Sequence, residues 1–221
     1  MTDISRFKAI FQGLDIAYGT YKIEGSRHDG KQSGKAMVVR QPPTDDLWVK
    51  HLDGIEPSLG IIPIRADNSC IWGCIDIDQY PFDHKGLIAK IRSLELPLVV
   101  CRSKSGGAHV FLFTKEPVPA ADMQAYLNAC AGLLGQAGRE IFPKQSEILV
   151  ERGDTGNFLN LPYFGGDESL RYAMHDDGNS ATLEEFYEIY DKWVQDVPLV
   201  IPEGPKTADH PAKDCPPCLQ A

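Results

Sequence analysis

The segment Ile71-Trp-Gly-Cys-Ile-Asp-Ile-Asp78 decides most of what the sequence predicts about this chain. Side chains along a β-strand alternate between its two faces, so Asp76 and Asp78 share one face while the isoleucines beside them point into a core. Two carboxylates on one face repel each other, and a bound Mg²⁺ or Mn²⁺ ion would offset that repulsion with opposite charge. The pair fits a strand that ends in a turn at Tyr80-Pro81 equally well, so the segment alone leaves both interpretations open.

The composition is typical of a soluble globular protein, and the charge limits its possible partners. The chain has 221 residues, of which 43% are hydrophobic and 24% charged, with a formal net charge of -9 at pH 7. General affinity for nucleic acids comes largely from cations that meet phosphates, and an acidic chain has a deficit of them. Basic residues are nevertheless dense around one glycine-rich loop, at Arg27, Lys31, Lys35 and Arg40. This region predicts either a basic groove or a solvated charged surface.

Cysteine usage and the lack of a targeting segment predict a cytoplasmic protein. The sequence has no run of about 18 apolar residues and does not start with the basic and apolar regions of a signal peptide. Cys70, Cys74, Cys101 and Cys130 lie in apolar runs, where cysteine behaves as a small buried hydrophobe, so we expect free thiols. Cys215-Pro-Pro-Cys218 has zinc-ligand spacing, but no second pair lies nearby to complete the ligand set.

The periodicity of apolar residues predicts an α+β fold. Residues 1–65 combine a short helix, with Phe7 and Ile10 at helical spacing, and short strands around a polar loop at residues 24–35. Further strands are predicted at 59–64, 71–78, 98–102 and 109–113, and amphipathic helices at 83–94 and 121–134. This order resembles the split βαβ arrangement of RRM and ferredoxin-like domains, with helices on one face of the sheet. Thr182-Leu-Glu-Glu185 is a capping box that begins a final helix.

The segment Arg102-Ser-Lys-Ser-Gly-Gly-Ala-His109 joins two predicted strands and has a phosphate-binding composition. Its glycines allow backbone N–H groups to approach a ligand, Lys104 supplies a positive charge, and His109 can donate to a phosphate oxygen. An ordinary hairpin turn explains the glycines equally well. Its place on the same sheet as the two aspartates strengthens the phosphate interpretation.

Two later segments offer further polar ligands. Glu140-Ile-Phe-Pro-Lys-Gln-Ser-Glu147 contains two glutamates, either of which could complete a metal site or stay solvated. Gly156-Asn-Phe-Leu-Asn-Leu-Pro-Tyr163 places Asn157 and Asn160 in an apolar run, where both amides need partners. Those partners are either neighbouring backbone groups, as in a turn, or the sugar or base of a ligand.

The order of four motifs resembles the archaeo-eukaryotic primase (AEP) superfamily, specifically the primase-polymerases of phages and mobile elements. The motifs are Asp76-Ile-Asp78, Ser105-Gly-Gly-Ala-His109, Glu140-Ile-Phe-Pro-Lys-Gln145 and Gly156-Asn-Phe-Leu-Asn-Leu-Pro162. The resemblance implies an RRM-like catalytic sheet with helices on its face, packed with a smaller N-terminal α/β subdomain. It divides the chain into that N-terminal subdomain (1–65), a metal-binding catalytic subdomain (66–197) and a linker (198–221) to a missing C-terminal primase accessory or helicase domain.

The resemblance also implies a DNA primase-polymerase, a nucleotidyltransferase that makes and extends primers in DNA replication. Its partners would be a single-stranded DNA template, a primer and nucleoside triphosphates (dNTP or NTP), with no membrane; a phage-encoded protein would act in the host cytoplasm. Its cofactors would be two Mg²⁺ or Mn²⁺ ions, with no organic cofactor. The implied catalytic metal ligands are Asp76, Asp78 and Glu140, with Glu147 as the rival third ligand. The implied nucleotide-binding residues are Lys104, Ser105, His109, Lys144, Gln145, Asn157 and Asn160, and the implied template-binding residues are Arg27, Lys31, Lys35 and Arg40.

Other functional classes fit parts of this pattern. A two-metal nuclease needs the same carboxylates but no triphosphate pocket. A non-catalytic RRM-like nucleic-acid-binding module stacks bases on aromatic residues of its sheet, whereas the central strand here presents aspartates that repel a phosphate chain without metal. A glycosyltransferase with a metal-binding Asp-x-Asp pair would need a nucleotide-sugar half-domain, which the sequence does not show.

Overall fold

The structure, a computed structural model, describes residues 4–26 and 32–202. The helices in this part of the chain are α1 (Ser5–Ile10), α2 (Asp45–Leu52), α3 (His84–Ser93), α4 (Ala120–Leu134) and α5 (Leu183–Trp193). The strands are β1 (Tyr18–Ser26), β2 (Gln32–Val39), β3 (Ser58–Ile61), β4 (Ser69–Ile77), β5 (Val99–Arg102), β6 (Ala108–Pro119), β7 (Glu140–Phe142) and β8 (Leu159–Asn160). They form two four-stranded sheets, in the orders β2-β1-β3-β8 and β5-β6-β4-β7.

The second sheet has the predicted split βαβ arrangement. The chain runs β4-α3-β5-β6-α4-β7, and β6 lies between β4 and β5 in the sheet. Strand β4 pairs antiparallel with β6 on one side and with β7 on the other. Helix α4 packs against β4 and β6, and α3 against β5. The predicted α+β class with an RRM-like sheet is confirmed, and β4 is one of its two central strands.

Strand β4 is buried on both faces because its side chains alternate between two apolar clusters. Ile75 and Ile77 pack with residues of α3 and α4, as predicted. Trp72 and Cys74 face the other way, into an aromatic cluster where the rings of Phe11 and Trp72 meet edge to face. Burial on both faces explains the nearly continuous apolar run of this segment. Asp76 follows on the second face, where the aromatic cluster ends and a cavity begins.

The first sheet corrects the prediction of a loop at residues 24–35. Residues 24–26 and 32–35 belong to β1 and β2, which pair antiparallel along their length with one irregularity near residue 24. Residues 27–31 lie outside the described part of the chain. The sequence predicts a strand at residues 36–40, and the structure begins it earlier, at Gln32. Residues 34–38 are exposed, so backbone pairing rather than apolar burial holds this part of the strand.

Strand β8 joins the first sheet although it comes late in the chain. Strand β3 pairs with β1 on one edge and with β8 on the other, where Gly60 lies opposite Asn160. The predicted boundary at residue 65 falls between β3 and β4, and therefore between the two sheets. The chain after residue 142 then returns from the second sheet to the first, which brings residues 158–160 to the side of the carboxylates.

Helix α2, which the sequence analysis did not predict, is fixed to the first sheet by a buried histidine. The His51 ring is fully buried, and burial lowers its pKa to about 4, so the ring is neutral. Its Nε2 lies 2.8 Å from the carbonyl oxygen of Pro162, and its Nδ1 accepts a 3.0 Å hydrogen bond from the Leu59 N–H. A neutral ring that donates from Nε2 and accepts at Nδ1 satisfies both contacts.

Other local predictions are confirmed. Thr182 and Glu185 form the capping box of α5, and the Asp83 carboxylate caps α3 by accepting from the Gly86 N–H at 2.9 Å. The four cysteines of the apolar runs, Cys70, Cys74, Cys101 and Cys130, are buried free thiols. None of the helices described is long and apolar enough to cross a membrane.

Candidate functional site

Three predicted site residues form one row across the second sheet. Asp76 of β4 lies directly opposite His109 of β6 on one side and opposite Glu140 of β7 on the other. Residues directly opposite each other on antiparallel strands have Cβ atoms about 5 Å apart, so this register places the three side chains together. Asp76 and His109 of this row line a cavity of about 480 Å³ between the end of the second sheet and β8. The cavity is lined by Asp76, Asp78, Tyr80, Ser103, Lys104, Ser105, His109, Phe142, Phe158, Leu159, Asn160 and Arg171.

Asp76 is held in an environment that disfavours its charge. Burial is the largest cause, and repulsion by Asp78 and Glu140 adds to it, so the pKa of Asp76 is raised to about 7. Its Oδ1 atom is buried and has no hydrogen-bond partner among the described residues. A carboxylate with an unpaired oxygen and acidic neighbours is suited to a cation.

Asp78 lies just beyond the end of β4 and is exposed. The Tyr80 hydroxyl donates to its Oδ1 at 2.7 Å. The alternation predicted from the sequence is therefore present, because Asp76 and Asp78 line the same cavity while Ile77 between them is in the core. The turn interpretation is also correct in part, since the chain leaves the strand at this point.

The register distinguishes the two candidates for the third acidic residue. Glu140 lies opposite Asp76, whereas Glu147 lines a separate cavity of about 420 Å³ with Arg40, Gln145 and Asn157. Glu140 is not among the residues that line the main cavity. Its Oε2 atom forms an ion pair with Lys144 Nζ at 2.7 Å. This geometry favours Glu140 over Glu147.

The carboxylates of Asp76, Asp78 and Glu140 do not converge on a single point in this structure. In residues 4–26 and 32–202, no group of three or more His, Cys, Asp or Glu side chains is arranged so that it could hold a metal ion. Asp78 accepts a hydrogen bond from the Tyr80 hydroxyl, and Glu140 forms an ion pair with Lys144. A cation would therefore have to replace these partners, which is physically reasonable because it removes the repulsion that raises the pKa of Asp76.

His109 is a neutral ring beside Asp76. Burial is the main cause that lowers its pKa to about 4, and the positive charge of Arg171 lowers it further. Its Nε2 lies 3.5 Å from Asp76 Oδ1, a contact too long to satisfy that oxygen. The described residues provide no hydrogen bond to the His109 ring, so the ring can donate one N–H to a ligand in the cavity.

The predicted phosphate-binding turn connects β5 and β6 at the edge of the cavity. The Ser103 N–H donates to Gly107 O at 2.8 Å, which closes the turn, and Gly106 has a φ of 94° that favours glycine. Lys104 and Ser105 line the cavity, and the Lys104 ammonium lies 3.3 Å from the ring centroid of Tyr21. The turn thus brings a cation and two hydroxyls to the aspartates.

Arg171 is a candidate site residue that the sequence analysis missed. Its side chain is buried and lines the cavity, and it donates only long hydrogen bonds, of 3.3 and 3.4 Å to Ser58 Oγ and 3.5 Å to Leu161 O. None of the described carboxylates pairs with it, and burial lowers its pKa to about 10. Arginine is rarely buried without a partner, so this side chain is suited to an anion. No local sequence signal indicates this role, because a single arginine between turns is usually exposed.

The two predicted asparagines have different surroundings. Asn160 lines the main cavity, and its buried Oδ1 has no partner within the described chain. Asn157 lies in the second cavity, where its Oδ1 accepts from Gln145 Nε2 at 2.6 Å and its N–H donates to Gln145 Oε1 at 3.1 Å. Asn160 is therefore available to a ligand in the main cavity, whereas Asn157 and Gln145 satisfy each other.

The predicted template-binding residues are only partly described. Lys35 is exposed on β2, and Arg40 donates to the carbonyl of Gly153 at the second cavity. Arg27 and Lys31 lie outside the described residues. The basic groove and its role in template binding therefore stay a prediction.

Comparison with a family model agrees with the resemblance seen in the motifs. The family model of the archaeo-eukaryotic primase domain of TOTE conflict systems matches residues 19–195. A similar solved structure is the AEP domain of the primase-polymerase of cyanophage S-2L, which covers 84% of this chain and 95% of its own length at 11% identity and a TM-score of 0.47. No curated protein matches the chain. Because the family model spans most of the chain, including all four motifs, the protein belongs to the archaeo-eukaryotic primase superfamily as an AEP domain of the TOTE type.

Proposed function

We propose that this primase-type domain catalyses template-directed nucleotidyl transfer, making and extending primers on DNA. The observation that carries the proposal is one cavity in which Asp76 and Asp78 meet the turn that holds Lys104 and a buried arginine, Arg171, that pairs with none of the described carboxylates. Carboxylates alone would suit any two-metal hydrolase. The nearby cations and N–H donors add what a triphosphate needs, namely positive charge and hydrogen-bond donors in the same cavity as the acids.

The residues that would hold divalent cations are Asp76, Asp78 and Glu140. They fit such ions because the Asp76 Oδ1 atom is buried without a partner and its carboxyl has a raised pKa among acidic neighbours. Oxygen ligands of this kind are the ones that Mg²⁺ and Mn²⁺ prefer. When bound, two such ions lower the pKa of the attacking 3′-hydroxyl and neutralise charge on the leaving pyrophosphate.

The remaining residues would bind and orient the nucleotide. In the reaction, the 3′-oxygen of the primer forms a bond to the α-phosphorus, and the bond from that phosphorus to the β-phosphate oxygen breaks. Negative charge then develops on the pyrophosphate. Lys104, Arg171 and the neutral N–H of His109 would stabilise this charge, and Ser103 and Ser105 would donate hydroxyl hydrogen bonds.

The macromolecular partners of the proposal are a single-stranded DNA template and a primer, with dNTP or NTP as substrates. Lys22 and Lys35, directly opposite each other on β1 and β2, offer two exposed cations that suit the template backbone. The family description names the TOTE conflict system, and we propose that the activity serves such a system. A C-terminal accessory or helicase domain stays an expectation.

A primer-extension assay tests the proposal. Purified protein is incubated with a primed single-stranded template, Mn²⁺ or Mg²⁺ and labelled nucleotides, and a parallel reaction lacks the primer. We expect extension by the wild type, little by Glu140→Gln, and wild-type extension by the matched control Glu147→Gln, because Glu147 lies in another cavity. Degradation of the primer in place of extension would favour a two-metal nuclease, and no reaction by folded protein would favour a binding module.

A further inference from the structure

One wall of the cavity is an aromatic side chain seated on two glycines. Gly19 of β1 and Gly60 of β3 lie directly opposite each other. A Cβ atom at Gly19 would lie 2.0 Å from Phe158 Cγ, and one at Gly60 would lie 2.3 Å from Phe158 Cδ2. The phenyl ring therefore occupies the space above both backbones, a position that any side chain at either glycine would block.

Part of the Phe158 side chain also lines the cavity. Phe158 is only half-buried, and it lines the same cavity as Asp76, Lys104 and Arg171. One side of the ring rests on the glycine backbones, and the residue also packs against the apolar cluster that contains Ile75 and Ile77, so only part of the ring is left to line the cavity. The ring thus offers an apolar aromatic surface beside groups suited to phosphates and cations.

The other aromatic side chains of the cavity are less available. Phe142 is almost completely buried, with the Lys144 ammonium 5.1 Å from its ring centroid. Tyr80 is tied to Asp78 through its hydroxyl, among the acidic groups. Tyr21, which lies two residues after Gly19 on the same strand face, is covered by the ammonium of Lys104. Phe158 is therefore the aromatic surface best placed for a flat, uncharged part of a ligand.

We propose that Phe158 is the surface on which the nucleobase of the incoming nucleoside triphosphate stacks, an inference that rests on the proposed function. The cavity, at about 480 Å³, has the size typical of small-ligand pockets. Lys104, His109 and Arg171 are the groups of this cavity that suit the phosphates, and Phe158 is the apolar surface in the same cavity that remains for the base. A phenyl ring has no hydrogen-bonding group, so it recognises any base by its π-face and leaves the choice of base to the template.

Calorimetric titration of the full chain in the presence of Mn²⁺ tests this role with two probes, dATP and inorganic tripolyphosphate. Phe158→Leu keeps an apolar side chain above the glycines but removes the π-face. We expect it to bind dATP on the order of tenfold more weakly, within the range of base stacking on aromatic side chains, and tripolyphosphate as tightly as the wild type. Phe158→Tyr should restore most of the affinity for dATP.

A pair of glycine variants gives an independent test. Gly60→Ala places a Cβ atom in the ring of Phe158, so it should displace the ring and weaken dATP binding selectively. Gly132→Ala is the matched control, because a Cβ atom there, in α4, meets nothing within 4 Å. Circular dichroism and thermal unfolding of each variant establish that it is folded.

Each other outcome overturns the inference. If Phe158→Leu binds both probes as tightly as the wild type, no base stacks on the ring, and the proposed function is unaffected. If Phe158→Leu loses both probes to the same extent, Phe158 shapes the cavity as a whole rather than binding the base. If the wild-type protein binds neither probe, the stacking role and the proposed function both fail.

Discussion

His51 and His109 are both buried and both have a pKa lowered to about 4, mainly by burial, yet their rings have opposite surroundings. His51 has a partner at each nitrogen, the carbonyl of Pro162 and the N–H of Leu59. His109 lies 3.5 Å from Asp76 and has no hydrogen bond from the described residues. Both rings are thus neutral because they are buried. The His51 ring links β3 to the segment after β8, whereas the His109 ring has an N–H available to a ligand in the cavity.

Beyond their histidines, the two regions differ in how many buried polar atoms lack a hydrogen-bond partner among the described residues, and near His51 this is the Nε1 atom of Trp48. Near His51, the buried Tyr163 hydroxyl donates to Ala181 O at 3.0 Å and accepts from the Ala173 N–H at 3.1 Å. Around His109, three buried atoms have no partner in the part of the chain that the structure describes, namely Asp76 Oδ1, Ser103 Oγ and Asn160 Oδ1, and all three residues line the cavity. A buried polar atom without a partner costs about 1–3 kcal/mol. The region around His109 therefore lowers stability to keep these groups available, as functional sites commonly do.

Asp76→Asn should produce the largest change and should separate activity from stability. Loss of a carboxylate at the centre of the charge-stabilising site should reduce primer extension by at least about 10³-fold. Stability should move in the opposite direction at pH 8, where ionised Asp76 is buried next to Asp78 and Glu140. Urea unfolding in metal-free buffer should show the variant about 1–3 kcal/mol more stable there.

The sign of this stability change depends on pH. The pKa of Asp76 is near 4 when unfolded and about 7 when folded, so between these values the folded state binds more protons. The stabilising contribution is complete below pH 4 and is lost as the pH rises to 7. The advantage of Asp76→Asn should thus be small at pH 4 and grow to its full size above pH 7. Asp78→Asn is the control, since exposed Asp78 should lose activity without that gain; an Asp76→Asn variant that extends primers would contradict the metal assignment.

Alanine variants of the two histidines should have different effects, on stability at His51 and on activity at His109. His51→Ala leaves the Leu59 N–H and the Pro162 carbonyl unpaired and opens a cavity, so it should lower the free energy of unfolding by about 2–4 kcal/mol. His109→Ala removes a ring without hydrogen-bond partners, so it should cost less stability and instead reduce nucleotide incorporation. Urea unfolding and primer extension measure the two effects. Equal losses of stability would show that His109 is also a structural residue.

Binding of Mn²⁺ should depend on pH through Asp76. The cation needs the ionised carboxylate, and the pKa of Asp76 without metal is about 7. Affinity measured by calorimetry should therefore rise about tenfold per pH unit below pH 7 and level off above it, with release of one proton. Glu147→Gln should leave this profile unchanged, because Glu147 lies in the second cavity. A profile without change between pH 5 and 8 would remove Asp76 from the ligand set.

The sequence predicted the parts of the site that follow from local periodicity. Alternation along one strand was enough to place Asp76 and Asp78 on one side and the isoleucines on the other. The choice between Glu140 and Glu147 needed the register of β7, which no local pattern contains. Arg171 and Phe158 reach the cavity only because the chain returns to the first sheet at β8. Their burial is a tertiary property, and a single arginine or phenylalanine in a loop does not reveal it.

The smallest expected effect links Arg171 to His109. The charge of Arg171 is one of the causes that lower the pKa of His109, so Arg171→Met should raise that pKa. It should stay below the ordinary value for histidine, about 6.5, because burial is the larger cause and remains. An NMR titration of the imidazole resonances measures the change, and Arg6→Met is the control, since Arg6 pairs with exposed Asp191. An unchanged His109 pKa in Arg171→Met would mean that the arginine charge does not act on the histidine, and the two could not then serve one anion.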